Sequence, residues 1–191
     1  MLNLLARPWV RVMLVSVLIE GFAFYGAFAY IGADLHHRFD LGFAVIGAAM
    51  AVFGLGAITY SLSARYLIKV LGERGLAIGG GGILCAAYVA LALAPQAILV
   101  PPVMVALGLG FYMIHNTLQT NATQMAPETR GLGVSLFALA LFIGQSLGVF
   151  LAAPIVDRWH APVIYLIAAA IRPAIALWFQ AMLHRRPSTN A

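Results

Sequence analysis

The sequence predicts an all-α membrane protein, a single bundle of six transmembrane helices formed by residues 1–191, and three observations carry that prediction. First, 63% of the residues are hydrophobic and 9% are charged, whereas a water-soluble domain carries about 25% charged residues on average. Second, Leu41 to Ala64, Gly75 to Pro127 and Gly131 to Val156 contain no charged residue, and about 20 apolar residues already suffice to cross the hydrocarbon of a bilayer. Third, Lys and Arg fall singly, mostly at alternate breaks between the apolar runs. A formal charge of +5 spread in that way forms no basic patch, which argues against nucleic acid as a partner. Cys85, the single cysteine, lies inside an apolar run, so it forms no intrachain disulfide and reads as a small packing residue.

Cutting the runs at their charges and prolines gives the six spans, each near the length that covers about 30 Å at 1.5 Å per residue. The first, residues 12–32, follows Arg7 and Arg11 and stops before the polar cluster Asp34 to Asp40. The second, 41–62, ends ahead of Arg65, and the third, 75–94, starts after Arg74. Ala94 to Gln96, reading APQ, divides a charge-free run too long for one crossing and opens the fourth span, 98–120. Pro127 stops that helix, Arg130 anchors the fifth span at 131–153, and the sixth occupies 162–183.

Arg7 and Arg11 ahead of an apolar run ending in AFA resemble a signal peptide, but Glu20 interrupts the run, which is also too long for one. Arg7, Arg11, Arg65, Lys69, Arg74, Arg130, Arg185 and Arg186 fall on one side of the predicted spans, against Arg38 and Arg158 on the other. Positive residues stay inside, so both termini are expected in the cytoplasm. The sequon-like NAT at Asn121 then sits on the cytoplasmic side and reads as chance. A faint internal echo links GFAFYGAF in the first span to GLGFYMIH in the fourth, and VFGLG in the second to LFIGQSLG in the fifth. These spans cross in opposite directions, as in an inverted three-plus-three repeat.

Within the spans, the glycines at Gly79 to Gly82 and the pair Gly144 and Gly148 leave helix surfaces bare, either for close helix packing or as hinges of a moving helix. Glu20 and Arg172 lie at depths where an unpaired charge costs roughly 2.5 to 3.5 kcal/mol. Glu20 reads either as a carboxyl that takes up and releases a proton during transport, or as one side of a structural hydrogen bond or salt bridge, for which Arg172 is a geometrically possible partner. On the fourth span Gly108, Tyr112, His115 and Gln119 share one face, with Asn116, Thr120 and Thr123 in the adjacent row. Such groups lose their hydrogen bonds against lipid, so this face and Gln145 in the fifth span point into the bundle or a wet cavity, to bind a ligand or to bond between helices. The cluster DLHHRFD has metal-ligand residue types but reads as a solvated external loop, so no metal and no cofactor is expected. No phosphate-binding loop and no serine with a matched His and acid is present, so an enzyme is not expected.

The run GLGFYMIHNTLQTNATQMAPETRGLGVSLFALALFIGQSLG, Gly108 to Gly148, resembles the tenth helix, following loop and eleventh helix of a major facilitator superfamily transporter. The drug and sugar efflux branch is the nearest. LQTNATQMAPETRG is the most specific part, and RPWVRVMLVSVLIEGFAFYGAF resembles the seventh helix, so the likeness extends over residues 7–184. Members have two six-helix bundles that rock about a central site, so the resemblance implies a carboxyl-terminal half in a bacterial inner membrane. The implied activity is efflux of a small organic solute, coupled to protons by antiport. The implied partners are that solute, protons, the lipid bilayer and a second six-helix half, supplied by a separate chain, a missing amino-terminal half or a second copy. The first, second, fourth and fifth spans would line the path, placing Glu20, Tyr25, Tyr112, His115, Asn116, Gln119 and Gln145 on it, while the third and sixth would face lipid. The family's gating loop is represented by Arg65, Lys69, Gly72 and Arg74 but lacks its Asp. Arg172 departs from the peripheral character of the twelfth helix, which points to a contact outside the bundle, a snorkelling side chain or drift. The rival to transport is a non-transporting membrane module that binds partner helices through its glycine-rich faces.

Overall fold

Lipid offers a backbone no hydrogen-bond partners, and α-helices satisfy their own amides within one segment. The computed structural model describes residues 2–183, and among them the regular structure is entirely helical. A short α1, Leu2–Leu5, leads into α2, Pro8–Phe28, where Pro8 occupies a first-turn position that needs no amide hydrogen. The chain continues through α3, Ile31–Phe39, which Asp40 ends in a left-handed conformation. Next come α4, Phe43–Ala51, and α5, Phe53–Leu93, followed by α6, Val100–Gln124, α7, Arg130–Trp159, and α8, Ala161–Leu183. Among the described residues, five segments are long and apolar enough to cross a membrane: Pro8–Phe39, Phe43–Leu93, Ala97–Gln124, Pro127–Trp159 and Ala161–Met182.

The 51-residue segment Phe43–Leu93 holds the main departure from the sequence reading. In place of a loop carrying Arg65, Lys69 and Arg74, the helix continues through them and leaves helical geometry only at Gly72 (φ 62°, ψ −179°). The chain doubles back at that residue. Gly56 packs against the Val105 to Leu109 stretch of α6, and Gly80 packs against Gly110 and Met113 of the same helix. In one straight helix residues 56 and 80 would stand about 36 Å apart, so two arms of α5 lie side by side against α6.

The bundle pairs α2 with α7 and α8, and α5 with α6 and α8. Glycine sets the closeness of the α2–α7 contact. A side-chain carbon at Gly144 would strike the backbone carbonyl of Leu18, and one at Gly148 the carbonyl of Phe22. From the other side, Gly26 would meet the Gly148 carbonyl at 3.0 Å. These glycines are the small-residue contact surface that lets backbones approach without a hydrophobic driving force.

The two ends of the bundle are marked by ion pairs and polar links. At one end Arg7 pairs with Glu128, and Asn121 Nδ2 donates to Glu73 Oε2 at 3.1 Å. At the other, the expected solvated loop Asp34 to Asp40 is instead mostly helix: Asp34 is buried, and Arg38 donates to Asp34 Oδ2 at 2.7 Å and to the carbonyls of Leu91 and Ala92. Arg38 thereby caps the carboxyl end of α5, whose last carbonyls have no helical partner. Beside it a cavity of about 630 Å³ is lined by Tyr30, Asp34, His37, Arg38, Asp157 and His160, among others. Arg185 and Arg186 lie outside the described residues.

Candidate functional site

Helical periodicity brings Glu20 to the face of α2 that also carries Val10, Met13, Val17, Phe24 and Ala27, all buried. A carboxyl in that register is surrounded by apolar side chains and must find a polar partner within the bundle. The partner is His115 of α6: its Nδ1 lies 3.1 Å from Glu20 Oε2. Two protonation patterns satisfy this distance, an imidazole N–H donating to a carboxylate or a carboxyl O–H donating to the imidazole nitrogen. Glu20 Oε1 has no hydrogen-bond partner among the described residues.

Exposure divides the pair. The Glu20 side chain is 0% exposed and that of His115 is 14% exposed. Aromatic rings hold the imidazole: it stacks on Phe111 at 5.0 Å and 13°, and Phe137 of α7 stands 5.6 Å away. Phe111 in turn lies 4.3 Å from Phe24, which also neighbours Tyr25 and Tyr88. The acid therefore sits behind a ring-lined wall with one polar group in it.

The remaining residues expected on the path grade from buried to open along α6. Gly108 is packing surface, since a side-chain carbon there would strike the Phe53 carbonyl. Tyr112 is half-buried beside Phe53 and Phe111, Asn116 is half-buried within reach of Tyr60 across the α5–α6 contact, and Gln119 is exposed. Tyr25 is half-buried, 6.0 Å from Phe111, and within electrostatic range of Glu20 and Tyr112. Gln145 of α7 is half-buried where the backbone of α7 passes Gly21, directly after Glu20. His115 and Tyr25 thus neighbour Glu20, Tyr112 stands next to Tyr25, the backbone of Gln145 passes Gly21, and Asn116 and Gln119 lie farther along α6. Thr120 and Thr123 turn their hydroxyls back onto α6, donating to the carbonyls of Asn116 and Thr120.

For Arg172 the structure excludes two of the readings that the sequence allows. The outward or snorkelling placement fails: Arg172 is fully buried, with its guanidinium 5.4 Å from the Phe24 ring and 6.0 Å from the Tyr88 ring. The sixth predicted span is accordingly a core helix on this face, packed against both α2 and α5. Sequence reasoning also missed Phe111 and Phe137, whose only signal was apolarity. Phe24 had a usable one, standing one helical turn from Glu20.

The sequence model of the Major Facilitator Superfamily matches residues 2–149 of the chain. A curated relative, an uncharacterized MFS-type transporter YceJ of Bacillus subtilis (strain 168), is 28% identical over 154 residues. That alignment covers 78% of this chain and 38% of the relative, so the chain aligns with well under half of the relative's length.

Proposed function

This chain belongs to the Major Facilitator Superfamily, and we propose that it forms the carboxyl-terminal six-span half of a transporter exporting a small organic solute in exchange for protons. The Glu20–His115 bond carries the proposal. An acid with no exposure, joined to an imidazole that keeps some, is a pair in which a proton from the aqueous side is handed inward. Protonation of Glu20 removes a charge from the interior, and that change is what can bias one arrangement of the bundle over another. Tyr25, Tyr112 and Gln145, all half-buried on the same helices or beside them, supply mixed aromatic and polar groups for an organic solute.

Six spans follow when the segment Phe43–Leu93 is counted as two crossings meeting at Gly72. An inverted repeat is supported by matched glycine contacts. The first span meets the fifth through Gly26 and Gly148, and the fourth meets the second through Gly108 and Gly56. Arg7, Glu128, Glu73 and Asn121 gather at one end of the bundle, which we assign to the cytoplasm of a bacterial inner membrane. The opposite wall of the path belongs to a second six-helix bundle, from the same longer chain, a separate chain or a second copy. A role as a non-transporting module is less well supported, because Gly144, Gly148, Gly56 and Gly108 are already occupied by contacts inside this chain.

The test is gradient-driven transport by proteoliposomes holding this chain together with its second bundle. Transport of an organic dye or sugar should follow an imposed pH gradient and be lost in Glu20→Gln and His115→Ala. Wild-type rates in both variants would remove the pair from the mechanism.

A further inference from the structure

Arg172 is a buried cation that the reading above leaves without a task. Its helix is brought close by glycine: a side-chain carbon on Gly81 of α5 would meet Ala176 at 2.8 Å and the Arg172 carbonyl at 3.4 Å. On the other side Trp178 Nε1 donates to Ser16 Oγ at 3.3 Å, fixing α8 against the face of α2 that carries Glu20 one turn further on. The guanidinium rests on the faces of Phe24 and Tyr88, and none of its three nitrogens has a hydrogen-bond partner among the described residues. A cation–π contact offsets part of the desolvation of a charge but leaves five N–H donors unused. The acid within its electrostatic reach is Glu20, which has one unpartnered carboxyl oxygen of its own.

We propose that Arg172 is the counter-charge of Glu20: it is a positioning residue that sets the pH at which the acid exchanges its proton, and its guanidinium becomes the partner of the carboxylate when His115 releases it. The inference rests on the coupling role proposed for Glu20. Two oxygens on one carboxylate can serve two donors, and here one oxygen meets His115 while the other has no partner. When His115 turns away, the carboxylate loses its hydrogen bond, and the nearby guanidinium has the donors to replace it. The charged and titratable groups around the pair are His115 from α6, Tyr88 from α5 and Tyr25 from α2 itself. From α7 come the ring of Phe137, which touches His115, and the backbone of Gln145 beside Gly21, both uncharged.

The test is an infrared titration of the full chain in lipid, with the Glu20 carboxyl band assigned by its loss in Glu20→Gln. Removing the cation in Arg172→Met should move protonation of Glu20 to higher pH by about one unit or more, because an adjacent positive charge favours the carboxylate. Arg172→Lys, which keeps the charge, should restore most of the wild-type midpoint. A midpoint unchanged in Arg172→Met overturns the proposal. Stability gives a second readout: Arg172→Met should cost more in the wild-type background than in Glu20→Gln, and equal costs also overturn it. Transport is not needed for either measurement. A bundle that shows the titration shift but transports nothing would keep this pairing and refute the proposed function, and the reverse result would do the opposite.

Discussion

Gly144→Ala isolates the packing that holds α2 against α7. The added carbon would stand 2.8 Å from the Leu18 carbonyl carbon and 3.0 Å from its Cα, and it would strike the carbonyl oxygen itself. Carbon atoms pack best at about 3.5 to 4.0 Å, and a gap of about 0.5 to 1 Å forfeits a quarter to a half of the attraction of each contact pair. The obstacle is backbone, so no rotamer change relieves it. Overpacking of this kind costs about 1 to 3 kcal/mol, offset by the gain of roughly 0.8 to 1 kcal/mol for replacing glycine with alanine inside a helix. The net expectation is a loss of up to about 2 kcal/mol. Gly82→Ala is the control, because nothing lies within 4 Å of a side-chain carbon there. It collects the helix gain alone and should stabilise the protein by up to about 1 kcal/mol. Unfolding in detergent micelles titrated with dodecyl sulfate, followed by circular dichroism, measures both variants. Equal stability changes at the two positions would refute the reasoning.

Three other substitutions probe the ends of the bundle by the same unfolding titration. Gly72→Ala forces a side chain into a conformation near φ 62° and ψ −179° that only glycine adopts comfortably, and should cost about 1 to 3 kcal/mol; an unchanged midpoint would mean that the turn in α5 relaxes freely. Arg38→Ala removes the bonds to Asp34 and to the carbonyls of Leu91 and Ala92, and should cost about 1.5 to 3 kcal/mol. Asp34→Asn should cost less, since the carbonyl caps survive, and the opposite order would show that the ion pair outweighs the caps.

Much of the architecture was legible because lipid leaves the backbone few options: long charge-free runs had to be helices. What lipid does not constrain was harder to read. Arg65 and Lys69 end a charge-free run in the sequence, yet a helix is as stable past a charge as before it, so the charges did not end it. The reversal is made by one residue, Gly72. The cluster at Asp34 looked like a loop because its residues are polar, but Asp34 and Arg38 stand one helical turn apart and satisfy each other. In the candidate site, the depth of Glu20 and the inward face of His115 were visible in their spacing. Their partnership was not, since 95 residues separate them and only tertiary packing brings them together. The depth of Arg172 was visible in the same way, but its neighbours Phe24 and Tyr88 were not, because they lie on two other helices.

The central claim is that Glu20, reached through His115, couples solute movement to protons. Its most direct test compares two modes in the same proteoliposomes, holding this chain and its second bundle: transport of a dye or sugar driven by a pH gradient, and exchange of that solute across the membrane without a gradient. Glu20→Gln should abolish the driven mode and leave exchange running, because the cavity is intact while the proton site is gone. Driven transport that persists in Glu20→Gln at the wild-type rate would contradict the account.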